Sequence, residues 1–209
     1  MLIRLKDLKS LSVEDSEAGR HALIDLFVEP QALRVTHAIM RLGRWFERSQ
    51  CAVAIGAMAK PDVEAGLWPG RFDEAGVGSP APGGTVVCRM PGEDALLPTD
   101  VPGDRVRSLS SLIGAPVVAR DGEAGRVMDL VIDPDDWSVP LLILGSGELL
   151  NEHQRVVPRR LIDRIDWDEP SLGVRADAAA VEGSPDLHEF EGDLQGKWYN
   201  GVLAYYGIG

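Results

Sequence analysis

The sequence predicts a mainly β protein. We expect two small β-barrels from an internal duplication, joined by a linker rich in proline and glycine and followed by a C-terminal helix. Three observations predict this fold: the two halves share a register of residues, short apolar runs alternate with turn-forming residues, and prolines and glycines concentrate between the halves. Many short strands separated by regular turns are typical of small barrels and sandwiches.

The shared register is the strongest of the three observations. The segment from Asp25 to Pro30 (DLFVEP) echoes the segment from Asp129 to Pro134 (DLVIDP), a separation of 104 residues (129 − 25). The same separation relates Leu8 to Leu112, Val13 to Val117, Val35 to Val139, Ile39 to Ile143, Gln50 to Gln154, Val53 to Val157 and Asp62 to Asp166. The tetrapeptide Glu-Ala-Gly-Arg also occurs twice, at 17–20 and 123–126, but two residues out of this register, which indicates offsetting length differences. A register this long predicts a duplicated fold unit.

The second repeat has the clearer strand pattern. Asp121 and Gly122 form a dipeptide that favours a hairpin, and the segment 133–136 is typical of a type I turn. We expect strands at 116–120, 125–132, 139–144, 155–158, 161–167 and 172–175. The first repeat follows the same plan less clearly, with strands expected at 22–28, 35–42, 52–55 and 63–68.

Four domain segments follow from these patterns. The first barrel-like domain spans 1–68, the linker 69–107, the second barrel-like domain 108–185, and the C-terminal helix and tail 186–209. The stretch 69–104 holds six of the 14 prolines and seven of the 23 glycines, with a short ordered piece expected at 85–90.

The C-terminal helix is predicted from an apolar face. Ser184 fits an N-cap and Pro185 the first helical position. The apolar residues that recur at spacings of three and four are Leu187, Phe190, Leu194, Trp198, Val202 and Tyr205. Such a face either packs within the chain or forms an interface with a partner or a second copy.

The charge balance disfavours direct binding of nucleic acid. The chain carries 21 Lys and Arg against 33 Asp and Glu, a net charge of −12. Binding to a phosphate backbone needs a basic surface. No apolar run approaches the length of a membrane span, the opening residues do not form a secretory signal, and the two cysteines are Cys51 and Cys88. We therefore expect a cytoplasmic protein.

The residues 112–134 carry a resemblance to a known family. The pattern Leu-Ile-Gly-x-Pro-Val followed by Arg-Asp-Gly-Glu-x-Gly-x-Val-x-Asp-Leu-Val-Ile-Asp-Pro resembles the opening of a PRC-barrel domain. The segments 156–167 and 184–186 match where that domain ends, and 5–68 is similar but looser. The family includes the cytoplasmic domain of the photosynthetic reaction-centre H subunit and a ribosome-maturation factor. The resemblance implies a small β-barrel that docks to other macromolecules, and it implies no catalytic residues.

Two sets of residues are candidates for binding a partner. The first is a basic and aromatic stretch, in which arginine and tryptophan are the residue types that dominate interface energies. It consists of Arg41, Arg44, Trp45, Phe46 and Arg48. The alternative for this stretch is a hairpin loop whose aromatic rings cover the end of a barrel. The second set is the helix face of Phe190, Leu194, Trp198 and Tyr205.

The sequence predicts no catalytic site, metal site or cofactor. The acidic residues Asp163 and Asp166 fall on opposite faces of a strand, and the segment 133–136 lacks the glycine and terminal glutamate of a calcium loop. His153 is the best candidate for a titrating group, because it lies in a loop beside charged residues.

The sequence is compatible with three functions. The leading hypothesis is a non-enzymatic adaptor or scaffold that binds a protein partner or a second copy of itself. The second is a factor associated with ribosome or RNA maturation, which the family resemblance suggests and the acidic charge disfavours. The third is a binder of small ligands in a cleft between the repeats.

Overall fold

A computed structural model describes residues 1–42, 49–72, 85–89, 106–145, 153–187 and 196–208. The strands are β1 (Ile3–Arg4), β2 (Ser12–Glu14), β3 (Arg20–Glu29), β4 (Arg34–Leu42), β5 (Ser49–Ala54), β6 (Leu67–Pro69), β7 (Thr85–Arg89), β8 (Arg107–Ser108), β9 (Pro116–Val118), β10 (Glu123–Asp133), β11 (Ser138–Gly145), β12 (Arg155–Pro158), β13 (Ile162–Asp166) and β14 (Ser171–Val174). The helices are α1 (Leu5–Ser10), α2 (Ala178–Glu182) and α3 (Lys197–Tyr205). The prediction of a mainly β fold with a C-terminal helix is confirmed.

Contacts between residues divide the chain into two compact units. The first unit consists of Lys6–Leu109 and Asp135–Ser138. The second unit consists of Met1–Leu5, Ser110–Pro134 and Val139–Gly209.

The second unit is built on the strand order β13-β14-β9-β10-β11, with β1 on β10 and β12 on β11. Strand β14 runs parallel to β9, and β13, β1 and β12 are antiparallel to their partners. Its apolar core cluster contains Leu2, Val131, Leu141, Ile143, Val156, Leu187 and Val202. Strand β11 is buried along most of its length, as its continuous apolar run predicts.

The first unit has the order β4-β3-β2-β6, with β5 on β4, β7 on β5 and β8 on β3. Strand β2 runs parallel to β6. The Trp68 side chain is fully buried, its Nε1–H donates to the Ala59 carbonyl at 2.8 Å, and its ring stacks on that of Trp137 at 5.4 Å. These contacts hold the segment 135–138 in the first unit.

The strand pairings repeat at the separation found in the sequence. Val13 pairs with Trp68 in parallel, and 104 residues later Val117 pairs with Leu172 in parallel. The turns between long strands also correspond, because Leu33 has a φ of 50° and the residue 104 positions on, Trp137, has a φ of 60°.

The leading strand of each repeat pairs with the other repeat. Strand β1 pairs with β10 in the second unit, Ile3 facing Ile132. Strand β8, which lies 104 residues after β1, pairs with β3 in the first unit, Arg107 facing Val28. The Ser108 hydroxyl also donates to the Asp25 carboxylate. The two halves of the sequence therefore exchange their first strands.

Two expectations change. The described sheet is not closed, so two separate barrels are not confirmed. The prediction that a helix begins at Ser184 is wrong: Asp186 forms a β-bridge with Arg155, and α3 begins at Lys197. The short ordered piece expected at 85–90 in the linker is present as strand β7.

No helix in the described parts of the chain has the length and apolar character needed to cross a bilayer.

Candidate functional site

The candidate site is a cavity of about 350 Å³ in the second unit. It lies where the beginning of β10, the end of β11, the beginning of β12 and helix α2 meet. The residues that line it are Glu123, Ala124, Gly125, Leu144, Gly145, His153, Arg155, Ala178, Val181 and Glu182. Its volume falls within the usual range for small binding sites.

An irregularity in β10 forms one wall of the cavity. Glu123 faces Val118 and Arg126 faces Pro116, so the register of β10 on β9 shifts between these pairs. The shift inserts one extra residue, and Gly125 there has a φ of 100°, a left-handed conformation that favours glycine. A β-bulge bends its strand and redirects side chains, and bulges are common beside binding sites.

The corresponding part of the first unit contains two buried aromatic rings. There β3 pairs with β2 without a shift, through Ser12 with Ala22 and Glu14 with Arg20. At the separation of 104 residues, His21 of the first repeat corresponds in sequence to Gly125 of the second, and Phe72 corresponds to Ala176. His21 and Phe72 are buried, and their ring centroids lie 5.8 Å apart.

The backbone supports the second of these correspondences. The Ser16 N–H donates to the Phe72 carbonyl at 2.8 Å, and the Arg120 N–H donates to the Ala176 carbonyl at 3.0 Å. The two ring-bearing residues of the first unit thus correspond to glycine and alanine in the second, and the glycine, Gly125, lines the cavity.

A buried carboxylate organises one side of the cavity. The Asp186 side chain is 6% exposed, and its Oδ2 lies 2.8 Å from Nδ1 of His153. Its Oδ1 accepts from the Gln154 N–H at 3.3 Å, while Oδ2 lies 3.9 Å from Nη1 of Arg155. The same Nη1 donates to the Ser184 carbonyl at 2.9 Å. These bonds hold the segment after α2 along β12.

The acidic side chains at the cavity are differently placed. Glu123 and Glu182 are exposed, and neither forms an ion pair or a side-chain hydrogen bond within the described residues. The positive charge of Arg155, in contrast, already faces the Asp186 carboxylate. The uncompensated charge of the cavity is therefore negative.

Two buried hydroxyl groups lie beside this cluster. Ser184 is 2% exposed, and among the described residues neither its Oγ nor Oη of Tyr206 meets hydrogen-bond geometry. Burial raises the pKa of the Tyr206 phenol to about 12. The nearby Ser184 hydroxyl and the positive charge of Arg155 lower this pKa by less than burial raises it. A buried phenol of this kind stays neutral at physiological pH.

Helix α3 packs on its own unit. Trp198, Tyr199 and Tyr206 are partly buried against the core cluster, and Val202 belongs to that cluster. Tyr205 is 45% exposed, and its hydroxyl donates to the Ala180 carbonyl of α2 at 2.9 Å. Of the predicted helix face, Phe190 and Leu194 lie outside the described residues.

The predicted basic and aromatic stretch is described only at Arg41. This residue is exposed in β4 and pairs with Ala22 on β3 and Gln50 on β5. The other members, Arg44, Trp45, Phe46 and Arg48, lie outside the described residues.

The other titratable cluster lies in the first unit and is structural. Asp15 Oδ1 accepts from the Glu17 and Gly19 N–H groups at 2.9 and 2.7 Å, and Oδ2 lies 2.8 Å from Nε2 of His21. Burial opposes ionisation of Asp15 and is the largest single influence. The hydrogen bonds from His21, Gly19 and Glu17 together outweigh it and hold the pKa of Asp15 below its usual range.

A second concavity in the second unit is formed by β9, β13 and β14. It has a volume of about 490 Å³ and is lined by Val118, Ala119, Arg120, Asp163, Arg164, Gly173 and Val174. Its charged residues are exposed. Within the described residues, no group of three or more His, Cys, Asp or Glu is placed to hold a metal ion.

No protein-family model matches the sequence, and no curated protein matches it either.

Proposed function

We propose that this protein is a non-enzymatic adaptor or scaffold of the PRC-barrel type, built from two duplicated units and acting in the cytoplasm on a protein partner. The repeated strand pairings and turn conformations support the duplication. The resemblance of 112–134 to the opening of a PRC-barrel domain supports the family and, through it, the docking role.

One observation carries the docking role: the cavity of the second unit. Beside it, the buried Asp186 carboxylate bonds the exposed His153 ring and the Gln154 N–H, and Arg155 donates to the Ser184 carbonyl. These bonds stabilise the wall of the cavity. The groups that face outwards, Glu123 and Glu182, stand beside apolar lining residues. A recess with an apolar floor and charged residues at its edge is suited to receive a side chain of another protein.

Affinity capture with the full chain tests this proposal. The chain is used as bait in lysate of the source organism, with and without nuclease, and a captured protein is then purified and mixed with the chain. We expect a complex of defined stoichiometry that survives nuclease. Retention that disappears with nuclease would instead favour the ribosome- or RNA-associated alternative. Failure of every purified candidate to form a complex would contradict the adaptor role.

Variants in the basic and aromatic stretch distinguish that stretch from the cavity as the docking surface. Replacing Arg44 and Trp45 by alanine should weaken the complex if this stretch contacts the partner. A partner that is unaffected by this change but lost on changing the cavity would place the docking surface in the second unit.

A further inference from the structure

We infer that the cavity of the second unit receives a basic side chain, arginine or lysine, of a protein partner. This inference rests on the proposed function and names the chemistry of the group that the cavity recognises. It is carried by the charge of the cavity, its apolar lining and the exposed tyrosine beside it.

The ionisable groups that line the cavity favour a cationic ligand. Among the ionisable residues that line the cavity, Glu123 and Glu182 form no ion pair within the described residues, whereas Arg155 faces Asp186. An anionic ligand would meet two uncompensated carboxylates. A guanidinium or ammonium group would form charge-assisted hydrogen bonds with them.

The apolar lining of the cavity suits the stem of a long basic side chain. Leu144 and Val181 are 1% and 2% exposed and form the buried part of the lining, with Ala124 and Ala178 beside them. Arginine and lysine have apolar stems that pack on such surfaces while their charged ends remain at the edge. The charged residues Glu123 and Glu182 are exposed, as this arrangement requires.

The surroundings favour a protein over a free amine. Tyr205 is 45% exposed and bonds to Ala180 of α2, the helix that supplies Ala178, Val181 and Glu182 to the cavity. An exposed, anchored tyrosine is typical of protein interfaces. The net charge of −12 would also speed the approach of a basic partner.

A pair of model peptides tests the recognition directly. The full chain, labelled with nitrogen-15, is titrated with acetyl-Gly-Arg-Gly-amide and with the same peptide carrying citrulline, the uncharged analogue of arginine. We expect the arginine peptide to shift the amide signals of Gly125 and Gly145 with a millimolar dissociation constant. The citrulline peptide should bind about tenfold more weakly or not at all.

Glutamine variants test the carboxylates. The double variant Glu123→Gln/Glu182→Gln should weaken binding of the arginine peptide about tenfold. The matched control Glu64→Gln/Glu169→Gln removes the same charge at exposed positions outside the cavity lining and should leave the affinity within about twofold. If the double variant does not fold, Ala178→Phe, which fills the cavity from α2, should abolish binding.

Several outcomes would overturn the inference. They are equal binding of the arginine and citrulline peptides, equal weakening by the control variant, or no shift at Gly125 and Gly145. Spermidine that binds far more tightly than the peptide would show that the site takes a free amine.

The proposed function fails separately from this inference. A stoichiometric protein complex that is unaffected by Glu123→Gln/Glu182→Gln would keep the adaptor role and reject the basic side chain. Peptide binding without any protein partner would keep the site and reject the adaptor role.

Discussion

The first hairpin turn of each repeat is stabilised by different hydrogen bonds. In the first unit, the turn between β2 and β3 is fixed by the buried carboxylate of Asp15, which bonds two backbone N–H groups and His21. In the second unit, the turn between β9 and β10 closes through a bond from the Ala119 N–H to the Gly122 carbonyl at 2.8 Å. Asp121 is exposed there and accepts from the Ala178 N–H at 2.6 Å.

The difference shows what each repeat does with the space behind its turn. The first fills it with the rings of His21 and Phe72, which are buried against each other. The second has Gly125, which lines the cavity, and Ala176 at the corresponding positions. Two packed rings thus lie behind the turn of the first repeat, whereas a glycine at the corresponding place in the second lines a cavity.

The largest expected effect on stability comes from removing the buried Phe72 ring from the first unit. Phe72→Ala removes a ring that is 5% exposed, and we expect a loss of about 3 kcal/mol in the stability of the first unit, the usual cost of such a cavity. Native-state hydrogen exchange at Ala38 and Ile39 measures it, because the two units need not unfold together. The control Ala176→Gly should cost about 1 kcal/mol and affect the second unit only. A small effect of Phe72→Ala would mean that the ring is not part of the core.

Removing the carboxylate of each turn gives the next contrast. Asp15→Ala leaves two backbone N–H groups and His21 without their buried partner, and we expect a loss of about 3 kcal/mol. Asp121→Ala removes one exposed bond near the start of α2 and should cost about 1 kcal/mol. Urea unfolding followed by hydrogen exchange in each unit compares them. Equal losses would contradict the distinction between a buried and an exposed carboxylate.

Acid should affect the turn of the first unit through the same residue. The pKa of Asp15 is lower in the folded protein than the ordinary value near 3.8, so its ionisation stabilises the fold above that value. This contribution is lost as the pH falls below about 4 and through the folded pKa. The free energy of unfolding is measured from about pH 6 to about pH 2 for the native chain and for Asp15→Asn. We expect the native chain to lose more stability than the variant as the pH falls. Parallel curves for the two proteins would show that Asp15 is not the group responsible.

The smallest effect concerns backbone strain in the first turn. Ala18 is exposed and has a φ of 63°, in the left-handed region that costs a residue with a side chain about 1 kcal/mol. Ala18→Gly should therefore raise stability by about 0.5 kcal/mol, because the greater freedom of glycine in the unfolded chain offsets part of the relief. Thermal unfolding detects the shift. A decrease in stability would mean that the methyl group of Ala18 contributes more than its strain.

Much of the strand pattern was predictable from local sequence. The segment 155–158 was expected as a strand and is β12, and the run expected at 139–144 lies within β11. Apolar alternation and turn dipeptides act within a few residues, so one sequence contains that information. The Ser184-Pro185 pattern predicted a helix start that the structure does not have, because Asp186 bonds to the His153 side chain and the Gln154 N–H beside β12. Tertiary bonds of this kind outweigh a local capping preference.

The cavity was harder to predict, although one signal was present. The tetrapeptide Glu-Ala-Gly-Arg is out of the 104-residue register by two positions, and its second copy lies at the bulge of β10. That offset marks a place where the repeats differ in length. It does not reveal the cavity itself, because the residues that line the cavity are far apart in the sequence.

The exchange of β1 and β8 limits how the chain can be divided. A fragment that ends in the linker would carry β1, which completes the second unit, and would lack β8, which completes the first. Two such fragments would need each other to complete their sheets, as in fragment complementation.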